Sequence, residues 1–114
     1  MGRGVNRGEI WTVAGGVYAT KPRPAVIVQD DLFDATSSVT VAPMSSALLD
    51  APLMHIRIAG GAGRLSGLDH DTDVMIDKLT TVKRSNVHTR IGRLTAEQVV
   101  EVERAMMAFL GLAR

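Results

Sequence analysis

The segment TKPRPAVIVQ, residues 20–29, decides how the rest of the sequence is interpreted. Lys21 and Arg23 each precede a proline, which drives both residues toward extended backbone. The apolar run 25–28 is rich in β-branched residues and is typical of a buried strand. We therefore expect Arg23 on a stiff backbone at the start of a core strand. A guanidinium held in this way suits phosphate recognition, and a solvated strand-end charge explains the same pattern.

The composition is that of one foldable domain. The chain has 114 residues, of which 46% are hydrophobic and 22% charged, enough for a single core. We expect one domain over residues 1–114, with residues 1–5 as a flexible N-terminal extension. The absence of cysteine excludes disulfides and cysteine-ligated zinc and is expected of a cytoplasmic protein. No apolar run has membrane-spanning length, and a formal net charge of +1 is not that of a globally basic nucleic-acid binder.

Short strands separated by turns dominate the sequence. A glycine-bearing loop is expected at residues 14–20, before the strand that carries the prolines. Alternating or β-branched patterns predict the other strands at residues 9–13, 39–43, 54–58, 74–79 and 89–92, with Met54, Ile56 and Ile58 facing inward.

The C-terminal segment predicts the one clear helix. Thr95 and Gln98 have the spacing of a capping box, and Gly111 is placed to end the helix. Apolar residues form one stripe at three- and four-residue spacing, namely Val99, Val102, Met106, Phe109 and Leu110. Strands, turns and this helix together predict a mainly β fold, a small curved β-barrel closed or covered by the C-terminal helix.

Five blocks of the sequence, in the same order, resemble the MazF/PemK toxin family. They are RGEIW at 7–11, PRPAVIV at 22–28, VAPMS at 41–45, DKLTTV at 77–82 and IGRL at 91–94. The resemblance implies an SH3-like curved barrel of the CcdB/PemK kind that acts as a homodimer. It also implies a ribosome-independent, sequence-specific endoribonuclease toxin that is neutralised by a cognate antitoxin. Such a toxin cleaves single-stranded RNA by 2′-OH attack, with no metal and no cofactor.

The resemblance also implies roles for individual residues. Arg23 matches the active-site arginine, whose paired donors stabilise charge developing on a phosphate. Ser45 stands where the family commonly has threonine and is the second catalytic candidate. A turn cap is an equal alternative for Ser45, and Ser46 replaces it if the register differs by one. Asp77 is expected to bind RNA as a reader of base edges, because Met75 stands where one branch has the arginine that accompanies a catalytic aspartate.

Four more residues complete the predicted substrate-binding set. Lys21 and Lys78 are expected to attract the RNA backbone, with a solvated side chain as the alternative for Lys21 and pairing with Asp77 as the alternative for Lys78. Tyr18 can stack on an unpaired base or pack on the barrel, and Thr20 lies in the same predicted loop.

Other functions are less compatible with the sequence. The stretch 69–73 lacks the glycine and closing glutamate of a calcium loop, so no metal site is predicted. A gyrase-poisoning toxin of the same fold depends on a tryptophan near its C-terminus, whereas the one tryptophan here is Trp11. A peptide-binding SH3-like module needs aromatic residues, which make up only 4% of the chain. A histidine-pair ribonuclease would have to use His55, His70 and His88, which lie on different predicted elements.

Overall fold

The computed structural model describes residues 4–15 and 18–113, and for residues 18–20 only the backbone. Within this part the fold is mainly β with one C-terminal helix, as predicted. The strands are β1 (Glu9–Gly15), β2 (Tyr18–Ile27), β3 (Ser38–Ser45), β4 (His55–Ile58), β5 (Thr72–Met75), β6 (Thr80–Lys83) and β7 (Val87–Arg93), and the helix is α1 (Ala96–Phe109). Short 3₁₀ turns occupy Asp31–Phe33, Ile76–Lys78 and Arg84–Asn86.

The strands pair antiparallel in a curved sheet with the order β4-β5-β3-β2-β1-β7. Its curvature is centred on β3, which changes partner along its length. Ser38 to Val41 pair with β6, whereas Met44 and Ser45 pair with Val74 and Asp73 of β5. The described strands therefore curve strongly without closing into a complete barrel.

Alternate residues of the central strands enter two separate hydrophobic clusters, because side chains along a strand point to opposite faces. Ile10 and Val26 belong to the cluster beneath α1. Trp11 and Ile27 belong to the cluster on the other face. Val5, which the sequence analysis leaves outside the fold, packs against this second cluster. The sheet is thus covered on both faces, which holds its central strands rigidly.

Strand β2 begins earlier than predicted. The glycine-bearing segment predicts a loop up to residue 20, but β2 already starts at Tyr18. Arg23 therefore lies within the strand, opposite Val13 of β1. Strand β3 pairs only with Ala25 to Ile27, so residues 21–24 have a free edge on that side. Proline is tolerated at such an edge because no ladder hydrogen bond is lost there. The same edge exposes Arg23.

The C-terminal helix has the predicted cap but a shorter buried stripe. Thr95 Oγ1 accepts from the Gln98 N–H at 3.1 Å, and Gln98 Oε1 accepts from the Thr95 N–H at 2.8 Å. Val102 and Met106 are buried, whereas Phe109 and Leu110 are 47% and 54% exposed. The last turn of the predicted stripe therefore does not face this chain's core.

Two strand predictions also need correction. Met54 is exposed and precedes β4, so it does not face the core. The strand predicted at 74–79 is divided into the end of β5 and the 3₁₀ turn Ile76–Lys78. This turn places Ile76 in the core and changes the direction of the chain beside the candidate site. Among the described residues there is no helix that is both long and apolar enough to cross a membrane.

Candidate active site

An open groove of about 870 Å³ lies beside the free edge of β2 and the end of β3. Of the six predicted site residues whose side chains the structure describes, five line it, namely Lys21, Arg23, Ser45, Ser46 and Lys78. The loop between β4 and β5 contributes Asp69 and His70 to the same lining. Residues from distant parts of the sequence therefore meet in one groove. The lining is cationic along β2 and at Lys78, and it is mixed in charge at the loop.

Arg23 is exposed, and its side chain forms no hydrogen bond or ion pair with any residue in the described ranges. Its backbone is held by pairing with β1. The guanidinium is therefore carried on a fixed strand while its five N–H donors remain available for a ligand. This arrangement suits bidentate binding of a phosphate.

Ser45 lies at the end of β3 and is half-buried in the groove. Its Oγ accepts a hydrogen bond from the Ala47 N–H at 3.1 Å. The predicted alternative, a turn cap, is therefore present, and it does not compete with a role in binding. The backbone bond fixes the oxygen, while the hydroxyl proton remains able to donate to a ligand.

Tyr18 and Thr20 are in β2 rather than in the predicted loop. Tyr18 pairs with Gly15 across the hairpin. The positions of both side chains fall outside what the structure describes, so their substrate-binding roles stay predictions.

Asp77 lies in the 3₁₀ turn between Met75 and Lys78, two residues that line the groove. Its carboxylate is directed toward His55, with 3.8 Å between Asp77 Oδ1 and His55 Nε2. This distance allows an ionic contact but is too long for a hydrogen bond, and Oδ1 is buried without a hydrogen-bond partner among the described residues. The role of Asp77 as a reader of base edges stays a prediction.

A buried polar network, which sequence reasoning missed, adjoins the groove. Asp73 on β5 is fully buried and accepts hydrogen bonds from Arg57 Nε at 2.6 Å, from His55 Nδ1 at 3.0 Å and from the Leu49 N–H at 2.9 Å. Burial opposes ionisation of Asp73, but these three donors outweigh it and lower its pKa from the usual 3.8 to about 2. The hydrogen bond to Asp73 in turn raises the pKa of Arg57. Asp73 is therefore ionised in the folded protein at neutral pH.

The network is connected to the groove through the sheet register. Asp73 is opposite Arg57 on β4 and opposite Ser45 on β3. Directly opposed residues in an antiparallel pair project from the same face. The sequence carried a usable signal, since His55 and Arg57 are two residues apart on a predicted strand and so share a face. What it did not show is which of the three neighbouring aspartates, 69, 71 or 73, is opposite them.

The three histidines lie in different surroundings. His70 lines the groove, His55 belongs to the buried network, and His88 is exposed on β7. Only one of the three therefore reaches the groove among the described residues, which does not support a histidine-pair nuclease. In the described ranges no group of three or more histidine, cysteine or acidic side chains is placed to hold a metal ion.

Comparison with known proteins decides the family. The profile of the PemK-like, MazF-like toxins of type II toxin–antitoxin systems matches residues 6–110. The chain belongs to this family. The resemblance seen in the five sequence blocks is thereby confirmed.

Individual members of this toxin family are similar over almost the full chain. A probable endoribonuclease MazF of Mycolicibacterium smegmatis is 48% identical over 110 residues, which cover 96% of this chain and 99% of that protein. Among solved structures, the Mycobacterium tuberculosis toxin MazF-mt6 superposes with a TM-score of 0.77 at 20% identity, covering 93% of this chain and 99% of that one. A mycobacterial endoribonuclease in complex with its cognate antitoxin superposes with a TM-score of 0.75 at 18% identity, covering 96% and 98%. The two structures support the fold, and the first relative supports the family.

Proposed function

We propose that the protein is the toxin of a type II toxin–antitoxin pair and acts as an endoribonuclease on single-stranded RNA. The observation that carries this proposal is the guanidinium of Arg23, which has no side-chain partner among the described residues and is held on a fixed strand in an open groove that also contains the Ser45 hydroxyl. The 48% identical relative, named a probable endoribonuclease, supports the same reaction. These observations favour RNA cleavage over the gyrase-binding alternative.

The proposed reaction is attack of a ribose 2′-oxygen on the adjacent phosphorus. The O2′–P bond forms, the P–O5′ bond breaks, and the 2′-hydroxyl proton is lost while the leaving 5′-oxygen gains one. The products are a 2′,3′-cyclic phosphate and a 5′-hydroxyl. Because all bonding changes occur within the RNA and its protons, the reaction consumes no co-substrate. We propose that Arg23, rather than a metal ion, stabilises the charge that develops on the phosphate.

Three groove residues have distinct roles in this reaction. Arg23 donates to the non-bridging phosphate oxygens and stabilises the charge that develops on them. Ser45, whose oxygen is fixed by the Ala47 N–H, donates a hydrogen bond from its hydroxyl to the phosphate or to the 2′-oxygen. Lys21, exposed at the groove, attracts the RNA backbone without contributing to base selection. Lys78 and Ser46, which also line the groove, extend this binding surface.

Two protein partners follow from the proposal. The cognate antitoxin covers the groove with an acidic segment, which is complementary to Lys21, Arg23 and Lys78. A second copy of the chain forms a homodimer, in which the exposed apolar side chains of Phe109 and Leu110 become buried. RNA as substrate places the protein in the cytoplasm.

The test is incubation of the purified protein with a long unstructured RNA in the presence of EDTA, followed by mapping of both fragment ends. We expect cleavage at a short recurring sequence, with a 2′,3′-cyclic phosphate upstream and a 5′-hydroxyl downstream. The Arg23→Ala protein, purified in the same way, controls for contaminating nucleases. Cleavage that disappears in EDTA and returns with a divalent ion would defeat the proposed mechanism, and RNA that stays intact would defeat the proposed function.

A further inference from the structure

His55 is held between two carboxylates beside the groove. Its side chain is only 8% exposed. Nδ1 is 3.0 Å from Asp73 Oδ2, and Nε2 is 3.8 Å from Asp77 Oδ1. Both ring nitrogens therefore face an acidic oxygen, and neither is directed freely to solvent.

The first contact fixes one proton of the ring. Asp73 is fully buried and accepts from Arg57 and from the Leu49 N–H as well as from His55, and its pKa of about 2 keeps it ionised. An ionised carboxylate only accepts hydrogen bonds, so His55 Nδ1 must carry the proton in that contact.

The second contact then requires another proton. A neutral imidazole has a single N–H, which Asp73 already uses, so Nε2 would present a lone pair to Asp77 Oδ1. That oxygen is buried and has no hydrogen-bond partner in the described part of the chain, and two facing acceptors in a buried site are unfavourable. The conflict is removed when one further proton lies between His55 and Asp77, either on Nε2 or on the carboxyl group.

Other charges around the site do not provide this proton. Arg57, the nearest cation in the network, is already hydrogen-bonded to Asp73. Asp50 and Asp71 interact electrostatically with Arg57 and add negative charge on the same side. Lys78 follows Asp77 in the chain but lines the groove.

We infer that His55 is a positioning residue that shares a proton with Asp77 and thereby sets the charge and direction of this carboxylate at the margin of the groove. The inference rests on the proposed function, because it assigns the carboxylate to RNA contact. With both ring nitrogens protonated, His55 stabilises Asp77 as an anion that accepts N–H groups of a base edge. When the shared proton is lost, His55 Nε2 and Asp77 repel each other, and the carboxylate leaves this position.

The register of the sheet explains why the effect reaches the chemistry. Arg57, Asp73 and Ser45 form one cross-strand row over β4, β5 and β3. Asp73, which orients His55, is therefore the direct neighbour of the proposed catalytic serine. A change in the network alters the support of Ser45 and the charge of Asp77 together.

The first test needs no RNA and is independent of the ribonuclease proposal. Nitrogen-15 NMR of histidine-labelled Arg23→Ala protein reports the protonation of each ring nitrogen, and a His55→Asn sample assigns the signals. We expect His55 Nδ1 to be protonated throughout the neutral range. At a fixed pH the doubly protonated fraction of His55 should fall in an added Asp77→Asn variant but not in an added Asp34→Asn variant, which removes an exposed carboxylate from the β2–β3 connection. A His55 ring protonated only at Nε2, or an unchanged fraction in Asp77→Asn, would overturn the inference.

The second test connects the network to cleavage. Asn at position 55 keeps a donor at the depth of Nδ1 for Asp73 but has no atom at Nε2, so it separates support of the fold from the contact with Asp77. We expect His55→Asn to remain folded, to cleave about tenfold or more slowly at the parental optimum, and to lose a limb of the parental pH profile. Asp77→Asn should lose the same limb. If parent and His55→Asn have superimposable pH profiles and equal rates, His55 is only a structural residue.

Discussion

Replacing Asp73 by asparagine should destabilise the fold strongly, because three donors converge on this one buried side chain. An asparagine oxygen in the place of Asp73 Oδ2 can accept from the Leu49 N–H and from His55 Nδ1, but the NH₂ group then faces the Nε–H of Arg57. This leaves one donor unsatisfied and removes the anion that balances Arg57. Breaking a buried ionic group in this way typically costs about 3–5 kcal/mol, which we expect as the loss in unfolding free energy at neutral pH.

The pH dependence of stability gives a second, independent measure of how much ionised Asp73 stabilises the fold. The pKa of Asp73 is about 2 in the folded protein, against the usual 3.8, and at ~1.4 kcal/mol per pH unit the ionised form contributes about 2 kcal/mol to stability. Since the folded pKa is the lower one, this stabilisation is present at all pH values well above 4 and is lost as the pH falls toward 2. At about pH 3 roughly half of it, near 1 kcal/mol, has disappeared.

Urea unfolding of the parent and of Asp73→Asn, at neutral pH and at about pH 3, measures both effects. Protein concentration must be equal throughout, because dimerisation would add to apparent stability. Asp69→Asn is the matched control, since Asp69 is exposed, four residues away and without a side-chain partner among the described residues. The difference in unfolding free energy between parent and Asp73→Asn should decrease by roughly 1 kcal/mol at low pH. A difference below ~1 kcal/mol at neutral pH, or one that is unchanged at low pH, would refute the account of the buried network.

Three further predictions concern the groove, its loop and the assembly. Arg23→Ala should lower the rate of RNA cleavage by about 100-fold or more, equivalent to ~2.7 kcal/mol of transition-state stabilisation, while RNA affinity falls less. Arg23→Lys should also cleave poorly, because lysine lacks the planar pair of donors. A folded Arg23→Ala protein that cuts RNA at the parental rate contradicts the catalytic role of Arg23. Gly67 has φ +69° and a Cβ there would collide with the Ile91 carbonyl, whereas Gly63 has φ +79° and open space around it. Gly67→Ala should therefore lower the unfolding free energy by about 2 kcal/mol more than Gly63→Ala. Equal losses in urea unfolding would count against the close approach of Gly67 to Ile91. Light scattering at micromolar concentration should give about twice the mass of one 12.2 kDa chain, and a monomer mass would exclude the dimer.

The sequence predicted the mainly β fold and the helix cap because these depend on local patterns. The candidate site residues came instead from the family resemblance, and their roles stay predictions. Thr95 and Gln98 are three residues apart, so a short segment determines whether they can cap a helix. The extent of β2 was less predictable. The glycine-bearing segment at 14–20 indicated a loop, but β2 already begins at Tyr18. Through residues 21–24 it has a neighbour on only one side, which follows from how far β3 extends.

The apolar stripe of α1 shows a different limit of the sequence. Spacing identifies which residues share a helix face, but it does not say how far the sheet extends beneath that face. Val102 and Met106 are covered by the sheet, whereas Phe109 and Leu110 extend beyond it. The predicted stripe therefore shares one helix face but is buried over only part of its length. The uncovered residues are the ones that the proposed dimer would bury.

The buried network was beyond sequence analysis because it depends on long-range register. The three aspartates at 69, 71 and 73 are equivalent in sequence, and a strand shifted by one residue would place a different side chain in the interior. Of these three aspartates, Asp73 is the one that is fully buried. It lies opposite Arg57 of β4, on a strand that pairs with both β4 and β3. Burial leaves Asp73 dependent on its donors, and Asp73 in turn holds one of them, His55, with its second nitrogen toward Asp77. The register of β5 thus determines both a large contribution to stability and, in our proposal, the protonation of a carboxylate beside the groove. Variants of Asp73 should therefore impair both folding and the pH dependence of cleavage. His55→Asn should impair the pH dependence of cleavage and leave folding intact.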